Sequence, residues 1–405
     1  MELFNYNIYM DKIIYLDNAA TTRPYKEVLS SMQQYHDYNF YNPSSVYSQS
    51  IKIKNDITLA REYFAKSLNA SSKDEIIFTC SGTEANNWAI KGIAEKYKFK
   101  GNHIITSAIE HHSVLNTMYY LAGKGYEVTF LQVDKYGCIN IQELKNKIKK
   151  NTILVSVMYA NNEIGTIEPI DTIGSICHDN GILFHTDAVQ AYGHINIDVQ
   201  KSNIDLLSVS GHKFHGPKGI GFMYKKKAIS IDKIFHGGEQ EYGLRPGTEN
   251  VAGIMGMYTA AKNIFSTLSQ RQQYETKLRD YFIDRILSEI PYTHVNGDRN
   301  MRLSNNINVS FNFVEGESLL LLLNKHGICA STGSACASGG LDPSHVLLAI
   351  GLRHEVAHGT LRFTIDENIT KEEIDFTVEI LKSSVAHLRD MSPLYEDFIN
   401  NNNVM

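Results

Sequence analysis

Thr152-Ile153-Leu154-Val155-Ser156-Val157-Met158-Tyr159 is almost continuously apolar. A run of this length without alternation suits a central strand covered on both faces, because neither side of its pleat meets water. Shorter runs of similar character precede it at Glu75–Thr79, His103–Ser107 and Glu127–Leu131, and follow it at Ile182–Thr186, Leu206–Ser210 and Gly219–Tyr224. Helix-like segments such as Ala85–Tyr97 and Asp171–Asn180 lie between them and are long enough for crossover connections. This alternation predicts an α/β fold with a mostly parallel central sheet sandwiched by helices. From Val251 to Ile290 the pattern is helical up to Pro291 and reads as a link into a second region. There Ile307–Phe313 and Thr360–Thr364 read as strands, and Glu317–Lys325 and Lys371–Arg389 as helices, which makes a smaller α+β domain.

Composition narrows the function classes. The 405 residues carry 39 Lys+Arg against 44 Asp+Glu, a net charge of −5, which argues against a nucleic-acid partner. The leucine run Leu319–Leu323 is far short of the roughly 20 apolar residues that a membrane span needs, and the charges at Glu2, Asp11 and Lys12 argue against a secretory leader. Neither membrane nor direct nucleic-acid contact is therefore expected. The five cysteines, Cys80, Cys138, Cys177, Cys329 and Cys336, contain no CxxC pair, so neither a disulfide framework nor a resident metal is expected. A cytoplasmic, enzyme-sized protein is the reading that remains.

The chemistry-bearing residues cluster where the expected strands end. Ser210-Gly211-His212-Lys213 follows the strand Leu206–Ser210 and leads into Gly216-Pro217-Lys218-Gly219. A lysine in a glycine-rich turn directly after a strand is poorly explained as a surface charge. Asp187 stands at the end of the strand Ile182–Thr186, so both side chains are expected at the crevice where open α/β sheets bind ligands. A lysine to form a Schiff base and an acid to keep a pyridine nitrogen protonated are what pyridoxal 5′-phosphate (PLP) requires. The turn Thr79-Cys80-Ser81-Gly82-Thr83-Glu84-Ala85 leads a strand into a helix and could hold the phosphate. His111 follows a third strand and Asn162 a fourth. Each has a plainer reading when taken alone: a solvated lysine, a capping aspartate, an ordinary N-cap, a structural histidine. Their convergence on one end of a sheet favours the cofactor site.

With these motifs the chain resembles the cysteine desulfurases of the NifS/IscS type, in the class V aminotransferase group of fold-type I PLP-dependent enzymes. The likeness is carried by Tyr15–Thr22 (YLDNAATT), Asn42-Pro43-Ser44-Ser45, Ser81–Glu84, Glu110-His111, Asn161–Gly165, Asp187 to Gln190, Ser210–Lys213, Arg245-Pro246-Gly247-Thr248, Gly333-Ser334-Ala335-Cys336 and Leu361-Arg362-Phe363. The chain departs from the family pattern at Tyr47, Glu239, Tyr242 and Asp366.

The resemblance implies that Lys213 carries the cofactor covalently, that Asp187 holds its ring nitrogen, and that Gln190 and Asn162 contact its ring oxygen. It also implies that His111 stacks on the ring, that Gly82, Thr83, Ser210 and His212 hold the phosphate, and that Thr248 arrives from the second subunit of a homodimer. Arg362, with Asn162, would bind the substrate carboxylate. A large PLP-binding domain is expected over 24–265, and a small domain over 1–23 and 266–405 would carry the catalytic-cysteine loop at about 329–342.

Cys336 separates a desulfurase from its relatives. It sits among small residues, Ala330 to Gly340, where a loop could bring a thiol into a pocket and out to a partner. Cys80, Cys138 and Cys177 are expected to be buried and inert, and Cys329 to be a buried strand residue. The expected reaction converts L-cysteine to L-alanine and leaves the sulfur on Cys336 as a persulfide. The thiolate this requires needs a lowered pKa or a base such as His111. The sulfur would pass to an acceptor or scaffold protein for iron–sulfur cluster or thio-cofactor biosynthesis, with Cys336 a transient cluster ligand. A selenocysteine lyase or class V aminotransferase is the nearest alternative, and a non-catalytic sulfur-carrier subunit is one from another class.

Overall fold

The computed structural model describes residues 13–332 and 343–402. It divides into two compact units, Ala19–Gln272 with Gly297–Leu303, and Met1–Asn18 with Gln273–Asn296 and Ser304–Met405.

The first unit is built on a seven-stranded sheet: β1 (Ile76–Thr79), β2 (His103–Ser107), β3 (Glu127–Leu131), β4 (Thr152–Ser156), β5 (Leu183–Asp187), β6 (Leu206–Ser210) and β7 (Gly221–Lys225). Their spatial order is β1-β7-β6-β5-β4-β2-β3. The pairs β2–β3, β2–β4, β4–β5 and β5–β6 are parallel, whereas β7 is antiparallel to both β6 and β1. The reversal at β7 follows from chain length: residues 211–220 are too few for a helical crossover. Every other strand of this sheet points the same way, so their C-terminal ends share one edge.

Neighbouring residues along each strand enter different cores. Ile105, Val155, Leu207 and Phe222 join one apolar cluster. Ile104, Leu154, Leu206 and Met223 join another with the helix α1 (Gly82–Tyr97), through Ala85, Trp88 and Ala89. This two-faced burial is why TILVSVMY lacks polar alternation. The apolar run outlasts the strand, which ends at Ser156. One polar chain crosses the covered sheet, where His185 meets Ser156 Oγ at 2.8 Å and Ser208 Oγ at 3.0 Å. Burial pushes this ring down to about 3, so it is a neutral cross-strand tie.

The second unit contains an antiparallel sheet in the order Ser331–Thr332, Thr360–Thr364, Asn306–Phe311, Thr293–Val295. Helices Gly316–Lys325 and Lys371–Asp390 contribute Leu319, Leu323, Ile374, Val378 and Leu381 to its core. Ile14–Tyr15 pairs in parallel with Ile328–Cys329. Helix Val251–Glu289 occupies the stretch that reads as helical in the sequence. Among the described residues no helix is long and apolar enough to cross a membrane.

The cysteine expectations need correction. Cys177 is buried, but Cys80 is exposed, and Cys138 and Cys329 are half-buried. Cys80 is the last residue before the turn that opens α1, and a turn at a sheet edge has only one side to pack against.

Candidate active site

Five connections leave the sheet at its C-terminal edge and bring the sequence-singled residues with them. After β6, Gly211–Lys213 forms a tight 3₁₀ turn. Gly216 closes it by donating its N–H to the Gly211 carbonyl at 3.0 Å, and a Cβ on Gly216 would stand 2.7 Å from that oxygen. The turn aims the Lys213 amine at the chain's own Ala19 and Ala20 carbonyls, which it reaches at 2.6 and 2.9 Å. Gln190 Nε2 donates to the same Ala19 carbonyl at 3.1 Å. The Ala19-Ala20 backbone is thus where Lys213 and Gln190 meet, a link that strand-end arithmetic alone does not contain.

Asp187 is the last residue of β5 and only 5% exposed. Its carboxylate accepts the Val189 N–H at 2.9 Å and the Asn86 side-chain amide at 2.6 Å. Asn86 lies on α1, whose N-cap Ser81 accepts the Glu84 N–H at 3.1 Å. Gly82, the first residue of the helix, sits in a tight space: a Cβ there would stand 2.5 Å from Val189 Cγ2 and 3.4 Å from Ser210 Cβ. The N-terminal N–H groups of α1, which have no intrahelical acceptor, therefore begin beside Ser210. Thr83 is the next residue of this first turn. His212 Nδ1 meets Thr21 Oγ1 at 3.1 Å, and burial, reinforced by Lys213 and Lys218, pushes its ring down to about 4.

His111 follows β2 and caps the helix α2 (His112–Ala122) by accepting the Ser113 N–H. Burial, with the nearby Lys213 and His112 charges, holds its ring below the usual histidine range against the opposing pull of Asp187. Asn162 is 8% exposed in the turn after β4. Asn161 builds that turn, accepting the Glu163 and Ile164 N–H groups at 2.8 and 3.0 Å and donating to the Ile109 carbonyl at 2.9 Å. It thereby fastens the connection after β4 to the one that carries His111.

Glu110 is a second tie between these connections. It is fully buried, and its Oε1 accepts the Ser107 hydroxyl at 2.6 Å and the Met158 N–H at 2.8 Å. Burial pushes its carboxyl up to about 8, as it does that of Glu168. Raised above the ordinary 4.5, each group binds its proton more tightly folded than unfolded, so its stabilising contribution is complete below that value and is lost as pH climbs to about 8. The slope in this window is at most about 1.4 kcal/mol per pH unit for each group. Glu110→Gln keeps an oxygen for both donors and removes the Glu110 titration. Its urea midpoint relative to the parent's is expected to rise as pH climbs from about 5 to about 8, because only the parent loses the Glu110 contribution there, and a difference that stays constant would mean that Glu110 is not one of the titrating groups.

The remaining residues lie elsewhere. Thr248 is exposed and lines a cavity of about 60 Å³ with Thr79, Cys80, Gly219 and Asn250, while Arg245 beside it pairs with Glu84 at 2.9 Å. Arg362 belongs to the second unit, is 2% exposed, and its guanidinium meets Asp17 at 2.9 Å. Asp17 is brought there by bridging to Thr364, two residues along the strand from Arg362. Cys336 and most of its small-residue stretch lie outside the described residues. Sequence reasoning passed over Asn86 and Ser113. A buried asparagine in a helix is unfavourable without a hydrogen-bonding task, and that is the signal by which Asn86 could have been found.

A model of the family described as Aminotransferase class-V matches residues 14–376. The chain is 52% identical over 394 residues to a protein named Cysteine desulfurase IscS from Clostridium botulinum, covering 97% of this chain and 99% of that one. It is 53% identical over 384 residues to one of the same name from Methanosarcina thermophila, covering 95% of each. Among solved structures, one titled NIFS-LIKE PROTEIN superposes with a TM-score of 0.88 at 36% identity, over 93% of this chain and 100% of that one. Another, titled SspA in complex with cysteine, gives a TM-score of 0.79 at 37% identity, over 87% and 99%.

Proposed function

The chain belongs to the class-V aminotransferase family, and we propose on that premise the reaction that its residues perform. It is a PLP-dependent cysteine desulfurase, acting on L-cysteine. The observation that carries the mechanistic reading is the meeting of Lys213 and Gln190 on one carbonyl in the unit whose sheet edge also presents Asp187 and the start of α1. These residues fit the cofactor: an amine for its aldehyde, a carboxylate for its ring nitrogen, and helix N–H groups beside Ser210 for its phosphate. When bound, PLP supplies an electron sink that makes the substrate Cα–H acidic.

Lys213 would hold the cofactor through its Nζ, and that amine, when free, would take the proton from the substrate Cα. Asp187 keeps the ring nitrogen protonated, with Asn86 and Val189 fixing the carboxylate's direction. Gln190 and Asn162 would contact the ring oxygen, and His111 would cover the ring. Gly82, Thr83, Ser210 and His212 hold the phosphate, with Thr248 supplied by a second copy of the chain in a homodimer. Arg362 binds the substrate carboxylate, oriented by Asp17.

Cys336 receives the sulfur: its thiolate forms an S–S bond as the substrate C–S bond breaks, and the three-carbon remainder takes up a proton and leaves as L-alanine. The persulfide then passes its outer sulfur to an acceptor for iron–sulfur cluster or thio-cofactor biosynthesis, in a cytoplasmic setting. Purified chain given L-cysteine without a reductant is expected to form L-alanine until about one sulfur per chain is protein-bound. Formation of alanine with no protein-bound sulfur would defeat the Cys336 step, and pyruvate or no product at all would defeat the reaction itself.

A further inference from the structure

Two donors converge on one ring nitrogen of His111. The Ser113 N–H donates to Nδ1 at 3.1 Å, and Ser113 Oγ stands 2.8 Å from the same atom. The hydroxyl oxygen also has a partner on its other side. Asn86 Nδ2 lies 2.9 Å from Ser113 Oγ and 2.6 Å from Asp187 Oδ2. A carboxylate only accepts, so Asn86 must turn its amide nitrogen toward Asp187, which leaves its second N–H for the serine oxygen. Nδ1 already accepts the Ser113 N–H and so carries no hydrogen of its own, which leaves the Ser113 hydroxyl as the donor in their contact. A ring nitrogen that accepts two hydrogens carries none, and the neutral imidazole then bears its proton on Nε2, the edge remote from Ser113. The relay is shielded from water: Asn86 is 1%, Asp187 5% and Ser113 8% exposed.

We propose that Asn86 and Ser113 are positioning residues that link Asp187 to His111 and fix His111 as the Nε2–H tautomer, so that it presents a hydrogen-bond donor to the reacting atoms and does not act there as a base. The inference rests on the desulfurase reading above and refines it, because Cys336 must then lose its proton to a group other than His111. A fixed donor needs no reorganisation when charge develops on the substrate, which is the advantage of setting the tautomer beforehand.

The test uses cofactor-loaded parent, Ser113→Ala and Ser113→Thr proteins labelled with ¹⁵N-histidine, the His111 signal being assigned by its loss in His111→Gln. In the parent at neutral pH, His111 is expected as a single neutral form with its proton on Nε2. Ser113→Ala keeps the backbone donor but loses the hydroxyl donor that favours the neutral ring, so the His111 titration midpoint should rise by roughly one pH unit. Ser113→Thr, which keeps the hydroxyl, should restore the parent value. A proton on Nδ1 in the parent, or an unmoved midpoint in Ser113→Ala, overturns the proposal. Absence of alanine from the parent with L-cysteine would instead count against the desulfurase reading and leave the tautomer result to be judged alone.

Discussion

Lys213→Ala is expected to purify without the cofactor's colour and to form L-alanine from L-cysteine about 10⁴-fold more slowly than the parent, the upper range for a positioned proton-transfer group. The size of the loss follows from the two tasks proposed for one amine, holding the cofactor and moving the Cα proton. The fold should be untouched. The turn that carries Lys213 is closed by backbone bonds, Phe214 N–H and Gly216 N–H to the Gly211 carbonyl at 3.3 and 3.0 Å, and by Thr22 N–H to the His212 carbonyl at 2.9 Å. The Lys213 amine donates to the Ala19 and Ala20 carbonyls, and the residue is half-buried, so water can reach what the variant leaves behind. Absorbance of the purified protein and an alanine assay with circular dichroism as the fold control decide the matter. A coloured Lys213→Ala protein that makes alanine at the parent rate would remove Lys213 from the mechanism.

Cys336→Ala is expected to keep the cofactor's colour and to lose sulfur release from L-cysteine by roughly 10³-fold or more, as loss of a nucleophile does in other covalent mechanisms. No other described cysteine can take its place, and the reason is electrostatic. Burial pushes the thiols of Cys80, Cys138, Cys177 and Cys329 upward. Neighbouring carboxylates add to this: Glu84 at Cys80, Glu168 at Cys138, Asp205 at Cys177 and Asp17 at Cys329. For Cys138 the result is about 12. Since only the thiolate attacks sulfur, all four are poor substitutes, Cys80 included despite its exposure. Cys80→Ser should therefore retain sulfide production in the presence of dithiothreitol. Sulfide released from cysteine at the parent rate by Cys336→Ala would show that the sulfur leaves by another route.

These expectations differ in where they come from. The positions of Lys213 and Asp187 at strand ends were legible because both follow short apolar runs, and a parallel sheet delivers the ends of its strands to a common edge whatever the details of packing. β2, β3, β6 and Thr360–Thr364 have the limits read from the sequence. Strand limits moved elsewhere by a few residues, since an apolar run does not say where the ladder stops; Val157, Met158 and Tyr159 stay buried after β4 has ended. Cysteine burial was misjudged for a related reason. A thiol's apolar character gives it a preference for the interior, but position on a turn overrides that preference at Cys80.

Local order, the α/β class and the placing of Lys213 in a tight turn at a strand end were determined by the sequence itself, because hydrophobic periodicity and tight-turn chemistry act between residues a few positions apart. Tertiary structure alone decided the meeting of Lys213 and Gln190 on the Ala19 carbonyl and the relay from Asp187 through Asn86 and Ser113 to His111. Asn86 and Asp187 are 101 residues apart, and a hydrogen bond across that distance leaves no periodic trace in the chain; it exists only once the sheet has set both partners at one edge.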